Sequence, residues 1–313
     1  MTKSLIKRFY PLKQINSKSQ IEAKRDGKAG AFSIIAYLML IRPENVLITA
    51  LSVFVAGLIS SVHWLQFGAD LSKAVLSAAL IAAGGNVFND YCDRDLDRIQ
   101  KPHRPIPAGR ISHGAALRLT AGCFFCGLLI ALTIGGAAFL IASWAVFLLL
   151  LYSWRWKRTI LLGNLTIAFI AALAFIYGGV AVRSVGAALW AAGLAFLFHL
   201  GREVVKDMED HWGDAAGEAC TLVVRYGINA GRWAASASFL LLILFLPFPY
   251  HWGGFRIGYL YIALFGVLPM LLMAVFWVWR WTKPQQLHRL NVMLKWDMLV
   301  GLAALLIGRP NGW

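Results

Sequence analysis

Runs of about twenty apolar residues recur along almost the whole chain, each closed by charged residues or by Pro and Gly. An α-helix rises about 1.5 Å per residue and bilayer hydrocarbon is about 30 Å thick, so roughly 20 apolar residues cross it. Nine stretches meet that requirement: 44–62, 72–92, 114–134, 136–153, 161–181, 186–206, 230–248, 257–279 and 289–308. They predict an all-α fold, a polytopic membrane helical bundle. The apolar segment 31–42 before Pro43 is too short to span and reads as an interfacial helix feeding the first crossing. Residues 1–30 are polar and basic, without the short apolar core and cleavage site of a secretory signal. They read as a cytoplasmic arm ahead of one membrane domain over 31–313.

Composition agrees: of 313 residues, 59% are hydrophobic and only 14% charged. The net charge of +15 would suit nucleic acid if it formed one exposed face, but the basic residues sit between apolar runs. Arg94, Arg98, Lys101, Arg104, Arg110, Arg155, Lys157, Arg158, Lys206, Arg225, Arg280 and Lys283 all follow even-numbered spans, whereas the opposite loops hold little beyond Lys73, Arg183 and Arg256. The positive-inside bias therefore places the amino terminus and the basic loops on the cytoplasmic side of the cell membrane, with anionic lipid rather than nucleic acid beside them. Cys92, Cys123, Cys126 and Cys220 form no disulfide framework and read as small packing thiols.

Acidic residues change the picture more. Ten of the fifteen fall in two stretches, Asp90, Asp93, Asp95, Asp97 and Glu203, Asp207, Glu209, Asp210, Asp214, Glu218, closing the second and sixth spans. Asn86, Asp90, Asp93 and Asp97 recur at intervals of four, three and four, and Glu203, Asp207, Asp210 and Asp214 repeat them. Such positions share one helix face, so each set is a ladder of oxygen atoms. Three unpaired carboxylates facing lipid would cost on the order of 10 kcal/mol, so the ladders must face a cavity or water. At that density they also need cations between them.

Oxygen-only donors suit Mg²⁺, which a few carboxylates hold while water and substrate phosphate complete its shell. The expected ligand is a diphosphate. Arg94, Lys101, Arg104 and Lys206 flank the ladders and are candidate contacts for phosphate oxygens not taken by metal. Pro102, Pro105, Pro107 and Gly109 stiffen the loop after the first ladder, as in a lid. His103, His113 and His211 lack the paired spacing of a rival metal site. Lys295 and Asp297 in the last span are expected to pair with each other near the interface.

At these residues the chain resembles the UbiA superfamily of intramembrane prenyltransferases. Its first motif, N-D-x-x-D-x-x-x-D, is matched by Asn89, Asp90, Asp93 and Asp97, and its second, D-x-x-D-x-x-x-D, by Asp207, Asp210 and Asp214. Lys101-Pro-His-Arg104, Arg42-Pro43-Glu44-Asn45, Tyr152-Ser153 and Gly163-Asn164 extend the similarity. Arg202-Glu203-Val-Val-Lys206-Asp207 looks most like the branch that prenylates geranylgeranylglyceryl phosphate, although Trp212 stands where that branch usually has Glu.

The resemblance implies Mg²⁺-dependent transfer of a prenyl group, geranylgeranyl in that branch, from its diphosphate to a lipophilic acceptor. Asp90, Asp93, Asp97, Asp207, Asp210 and Asp214 are then the metal ligands. Asn86, Asn89 and Glu203 would orient that shell, Lys157 joins the phosphate contacts, and Asn45, Tyr152 and Asn164 lie near the pocket. An aromatic acceptor, a quinone precursor or a chlorin, stays open, because pocket walls choose the acceptor. An alcohol phosphotransferase would need an Asp-Gly start and an internal Ala-Arg in its motif, which neither cluster has.

Overall fold

A computed structural model of the protein describes residues 29–216 and 219–310, so the basic arm, apart from its last two residues, and Glu218 lie outside the described residues. All regular structure among them is helical, and nine helices are long and apolar enough to cross a membrane. In chain order the α-helices of the described residues are α1 (Ala29–Ile41), α2 (Pro43–Ser60), α3 (Gly68–Gln100), α4 (His113–Ile134), α5 (Gly136–Trp154), α6 (Leu162–Ala181) and α7 (Gly186–Ala216). They continue with α8 (Leu222–Tyr226), α9 (Ile228–Phe245), α10 (Phe248–Trp252), α11 (Ile257–Ile262), α12 (Leu268–Arg280) and α13 (Pro284–Ile307). A π turn over Ala263–Val267 joins α11 to α12, where Pro269 has no N–H to continue the α pattern.

Successive crossings pack on one another, and α13 returns onto α2 and α7, closing the bundle around an interior. Large apolar side chains such as Phe125, Leu140, Trp233 and Phe265 are exposed on the outside, as a lipid-facing surface requires. Polar groups inside are satisfied across helices. Tyr177 donates to Ser77 Oγ at 2.9 Å, and Ser77 donates to the Gly127 carbonyl at 2.8 Å, linking α6, α3 and α4.

Two spans run longer than their apolar patterns. Helix α3 continues to Gln100 rather than stopping near 92, and α7 to Ala216 rather than near 206. The hydrophobic run ends where the ladder begins, but the helix does not, because the ladder faces the protein interior. Both acidic ladders are thereby carried on unbroken helix.

Candidate active site

The first ladder is held by cations. Asp90 and Asp97 are each only 4% exposed, although both sit at the end of a span. Arg104, from the Pro-rich loop, donates to Asp90 at 3.2 Å and to Asp97 at 2.6 Å. Burial opposes its charge, but Asp90 and Asp97 outweigh that and raise the guanidinium pKa above its ordinary value. Arg42 also pairs with Asp90. It occupies the left-handed region, φ 58°, between α1 and Pro43, a conformation costing a non-glycine residue on the order of 1–3 kcal/mol. Such strain points to a functional constraint at the α1–α2 corner.

Asp93 pairs with Lys157 and accepts from Asn89 Nδ2 at 3.1 Å. Gly163 places that lysine: a Cβ there would come within 2.8 Å of Lys157 Cα and 2.9 Å of the Trp156 carbonyl. Only glycine lets α6 begin so close to this turn. Burial draws the Lys157 ammonium below the usual lysine range, with Asp93 opposing. Asn86 donates to the Ile41 carbonyl at 2.8 Å, tying α3 to the end of α1.

The second ladder stands opposite on α7. Lys101, from the loop after the first ladder, reaches Asp210 at 3.6 Å. Asp207 accepts from Asn164 Nδ2 at 2.8 Å. Glu203, 6% exposed, is shared by Arg202 and Lys206, each at 3.4 Å. Asp214, beyond the membrane-crossing part of α7, feels the charges of Asp210, Lys206 and Lys101 and also of Asp93 on the first ladder. The two ladders therefore share one mouth of the bundle.

Below that mouth lies a cavity of about 510 Å³ walled by α2, α3, α5, α6, α7 and α13. Asn45, Asn86, Asn89, Lys101, Arg104, Tyr152, Glu203, Lys206 and Asp210 all line it. Its deeper wall is apolar, with Ile81, Ala142, Leu149, Ile170 and Ala174. A charged entrance over an apolar slot suits an amphiphile with an anionic head and a hydrocarbon tail.

A profile of the UbiA prenyltransferase family matches residues 45–298, most of the chain. The chain belongs to the UbiA prenyltransferase family. Among curated relatives, the digeranylgeranylglyceryl phosphate synthase of Methanopyrus kandleri is 38% identical over 87% of this chain and 99% of its own. That of Methanothermobacter thermautotrophicus is 33% identical over 87% and 95%. A solved structure concerning digeranylgeranylglyceryl phosphate synthase in membranes superposes with a TM-score of 0.73 at 28% identity, covering 89% of this chain and 99% of that one. A UbiA homologue from Archaeoglobus fulgidus bound to GPP and Mg²⁺ shares the fold, with a TM-score of 0.64 at 19% identity over 86% and 99% of the chains.

In this UbiA prenyltransferase the ladders fit Mg²⁺ by donor chemistry, being wholly carboxylate and amide oxygen. Among the described residues no three acidic, His or Cys side chains converge as a closed metal cage. The carboxylates are balanced instead by Arg42, Arg104, Lys157 and Lys101. That arrangement matches an open Mg²⁺ site, in which phosphate and water supply most of the ligands.

One sequence expectation is corrected, the pairing of Lys295 with Asp297. Arg94, expected at the phosphates, donates to the Tyr91 carbonyl at 2.9 Å, lies over that ring at 4.7 Å and pairs with Asp95 at 3.7 Å. Four residues on from Asp90, it stands at the edge of the ladder face, held there by Tyr91 and Asp95. Lys295 and Asp297 do not pair with each other: Lys295 reaches Glu44 at 3.8 Å, whereas Asp297, 2% exposed, has neither oxygen hydrogen-bonded. Two helical positions apart, the side chains point to different sides of α13. Asp297 lines a smaller cavity of about 80 Å³ that shares His199, Ser52, Phe175 and Met298 with the main one.

Sequence reasoning also gave Arg42, Arg202, Glu209 and Lys295 no role at the site. Glu209 binds His288 at 2.9 Å and Asn291 at 2.6 Å, fastening α7 to α13 beside the cavity. The available signal was that ionisable residues at membrane depth are rare and need an interior partner.

Proposed function

We propose that the protein transfers a geranylgeranyl group from its diphosphate to the hydroxyl of geranylgeranylglyceryl phosphate, at the cytoplasmic face of the membrane. The observation carrying this reading is the pair of carboxylate ladders at the mouth of an apolar cavity, bridged by Lys101 to Asp210. The relatives' shared name supplies the acceptor, and the basic loops supply the orientation.

Asp90, Asp93, Asp97, Asp207, Asp210 and Asp214 would hold Mg²⁺, which when bound neutralises charge on the leaving diphosphate. Arg104, Lys157, Lys101 and Lys206 add fixed positive charge where the C–O bond breaks, so they stabilise developing negative charge without reorganising. The Pro-rich loop carries Lys101 and Arg104, covers the mouth and limits water. The apolar slot holds the isoprenoid extended and keeps its allylic carbon dry.

Acceptor choice is tested with the purified protein and labelled geranylgeranyl diphosphate. Geranylgeranylglyceryl phosphate should be prenylated, and a hydroxylated aromatic acid should give no product. Product from the aromatic acid alone would move the protein to the quinone-precursor reading.

A pH dependence follows from Asp214, whose carboxyl is pushed up to about 6 by burial and then by Asp210. The proton must leave before the group can bind a cation, so apparent Mg²⁺ affinity should fall as pH drops from about 7.5 to about 5. Without metal the sign for stability is the reverse. A raised carboxyl pKa contributes stability at low pH that is lost as pH rises through about 6. Magnesium titrations of activity across that range measure the first effect, and a flat profile would remove Asp214 from the ligand set.

A further inference from the structure

The basic residues at the mouth differ in how closely carboxylates hold them. Towards α3, Arg42, Arg104 and Lys157 are matched by Asp90, Asp97 and Asp93. Towards α7 and α13 the balance differs. Arg202 and Lys206 share the single carboxylate of Glu203, and Arg202 Nε is buried with no hydrogen-bond partner. Lys295 has Glu44, but at 3.8 Å and with the Glu44 side chain 59% exposed, so water screens the pair. Arg42, Arg202, Lys206 and Lys295 all line the main cavity.

Glu203 and Glu44 leave donors of Arg202 and Lys295 free for an entering anion. Arg104, Lys157, Lys101 and Lys206 already serve the diphosphate and Arg42 is held by Asp90, so Arg202 and Lys295 are the two cations of this group left over. From that surplus we infer that Arg202 and Lys295 form a second anion subsite, distinct from the diphosphate site, that binds the phosphate of the acceptor. The inference rests on the acceptor reading above and adds the residues that select it. The geometry suits the chemistry: a glyceryl phosphate carries its hydroxyl only a few bonds from its phosphate. The subsite must therefore border the diphosphate site, as it does through the Glu203–Lys206 pair. Arg202 supplies a planar fork to phosphate oxygens and Lys295 a point charge from the facing helix. Closing α13 on α7 through Glu209, His288 and Asn291 sets their separation. Neither residue acts on the breaking bond; their part is to bind and position the acceptor.

The test is steady-state kinetics on the full chain in detergent, with geranylgeranylglyceryl phosphate and with geranylgeranylglycerol, its phosphate-free counterpart. Lys295→Gln and Arg202→Gln should each raise KM for the phosphorylated acceptor by about tenfold or more, the equivalent of ~1.4 kcal/mol. KM for geranylgeranyl diphosphate and for the phosphate-free acceptor should stay within about twofold, because neither contact serves them. Lys295→Arg should restore most of the loss. Should Arg202→Gln not fold, Lys295→Gln and Arg202→Lys carry the test, the latter with an intermediate KM. An unchanged KM for the phosphorylated acceptor overturns the subsite, and an equal rise for geranylgeranyl diphosphate assigns these residues to the diphosphate instead. Failure of the unaltered protein to prefer the phosphorylated acceptor strikes the acceptor reading itself, so the two failures are separable.

Discussion

Asp93→Asn and Asp210→Asn are each expected to lower prenyl transfer about a thousandfold or more while leaving the protein folded. The size follows from the charge involved: a bound divalent ion contributes several kcal/mol to stabilising a leaving diphosphate, and each 1.36 kcal/mol is tenfold in rate. Asparagine keeps the shape of aspartate, so Asn89 at 3.1 Å and the packing around Asp93 are preserved. What is lost is the negative charge opposite Lys157 and, on the facing ladder, the charge opposite Lys101. Both variants should elute from gel filtration as the unaltered protein does and should show a weakened magnesium requirement. Asp95→Asn is the control. Its side chain is 68% exposed and pairs with Arg94 and Arg98 away from the ladder face, so activity should change less than about twofold. Near-normal turnover in either ladder variant would refute the ligand assignment.

Much of this architecture was legible because two periodicities are written in the chain. The lipid-crossing runs fix the number of spans, and the four-three-four spacing of Asn86, Asp90, Asp93 and Asp97 places them on one face whether or not the helix end is known. What hid α3 beyond 92 was the same spacing: a carboxylate ladder lowers local hydropathy, so an apolar window closes while the helix continues to Gln100. Contacts between distant segments were not legible. Nothing local to Arg42 says that it folds onto Asp90, or that Lys157 lies beneath Asp93, because both pairings are made by packing of α2 and α6 on α3. Lys295 and Asp297 were expected to pair as sequence neighbours, and their near-opposite directions on α13 sent one to the main cavity and the other to the smaller cavity adjoining it.

Gly178→Leu is expected to prevent recovery of folded protein, and Gly178→Ala to lower the thermal midpoint in detergent by roughly 5 °C or more. The cause is the approach of α6 to α2. A Cβ on Gly178 would press into the Val53 carbonyl oxygen and come within 2.8 Å of the Ala56 Cβ, so even alanine must separate two helix backbones. Membrane helices gain little from apolar burial against lipid and depend on such close packing for their association. Separation would also reach the mouth, because α2 begins next to Arg42 and carries Glu44 and Asn45 on the cavity wall. Activity of the alanine variant should therefore fall with its stability, and the loss should appear in KM for both substrates. Gly122→Ala supplies the contrast on α4: no atom lies within 4 Å of its Cβ position, so that substitution should leave the midpoint unchanged or raise it slightly through helix propensity. Equal midpoints for the Gly178 and Gly122 alanine variants would mean that α2 and α6 are not held at this distance, and the cavity mouth would then need another account of its shape.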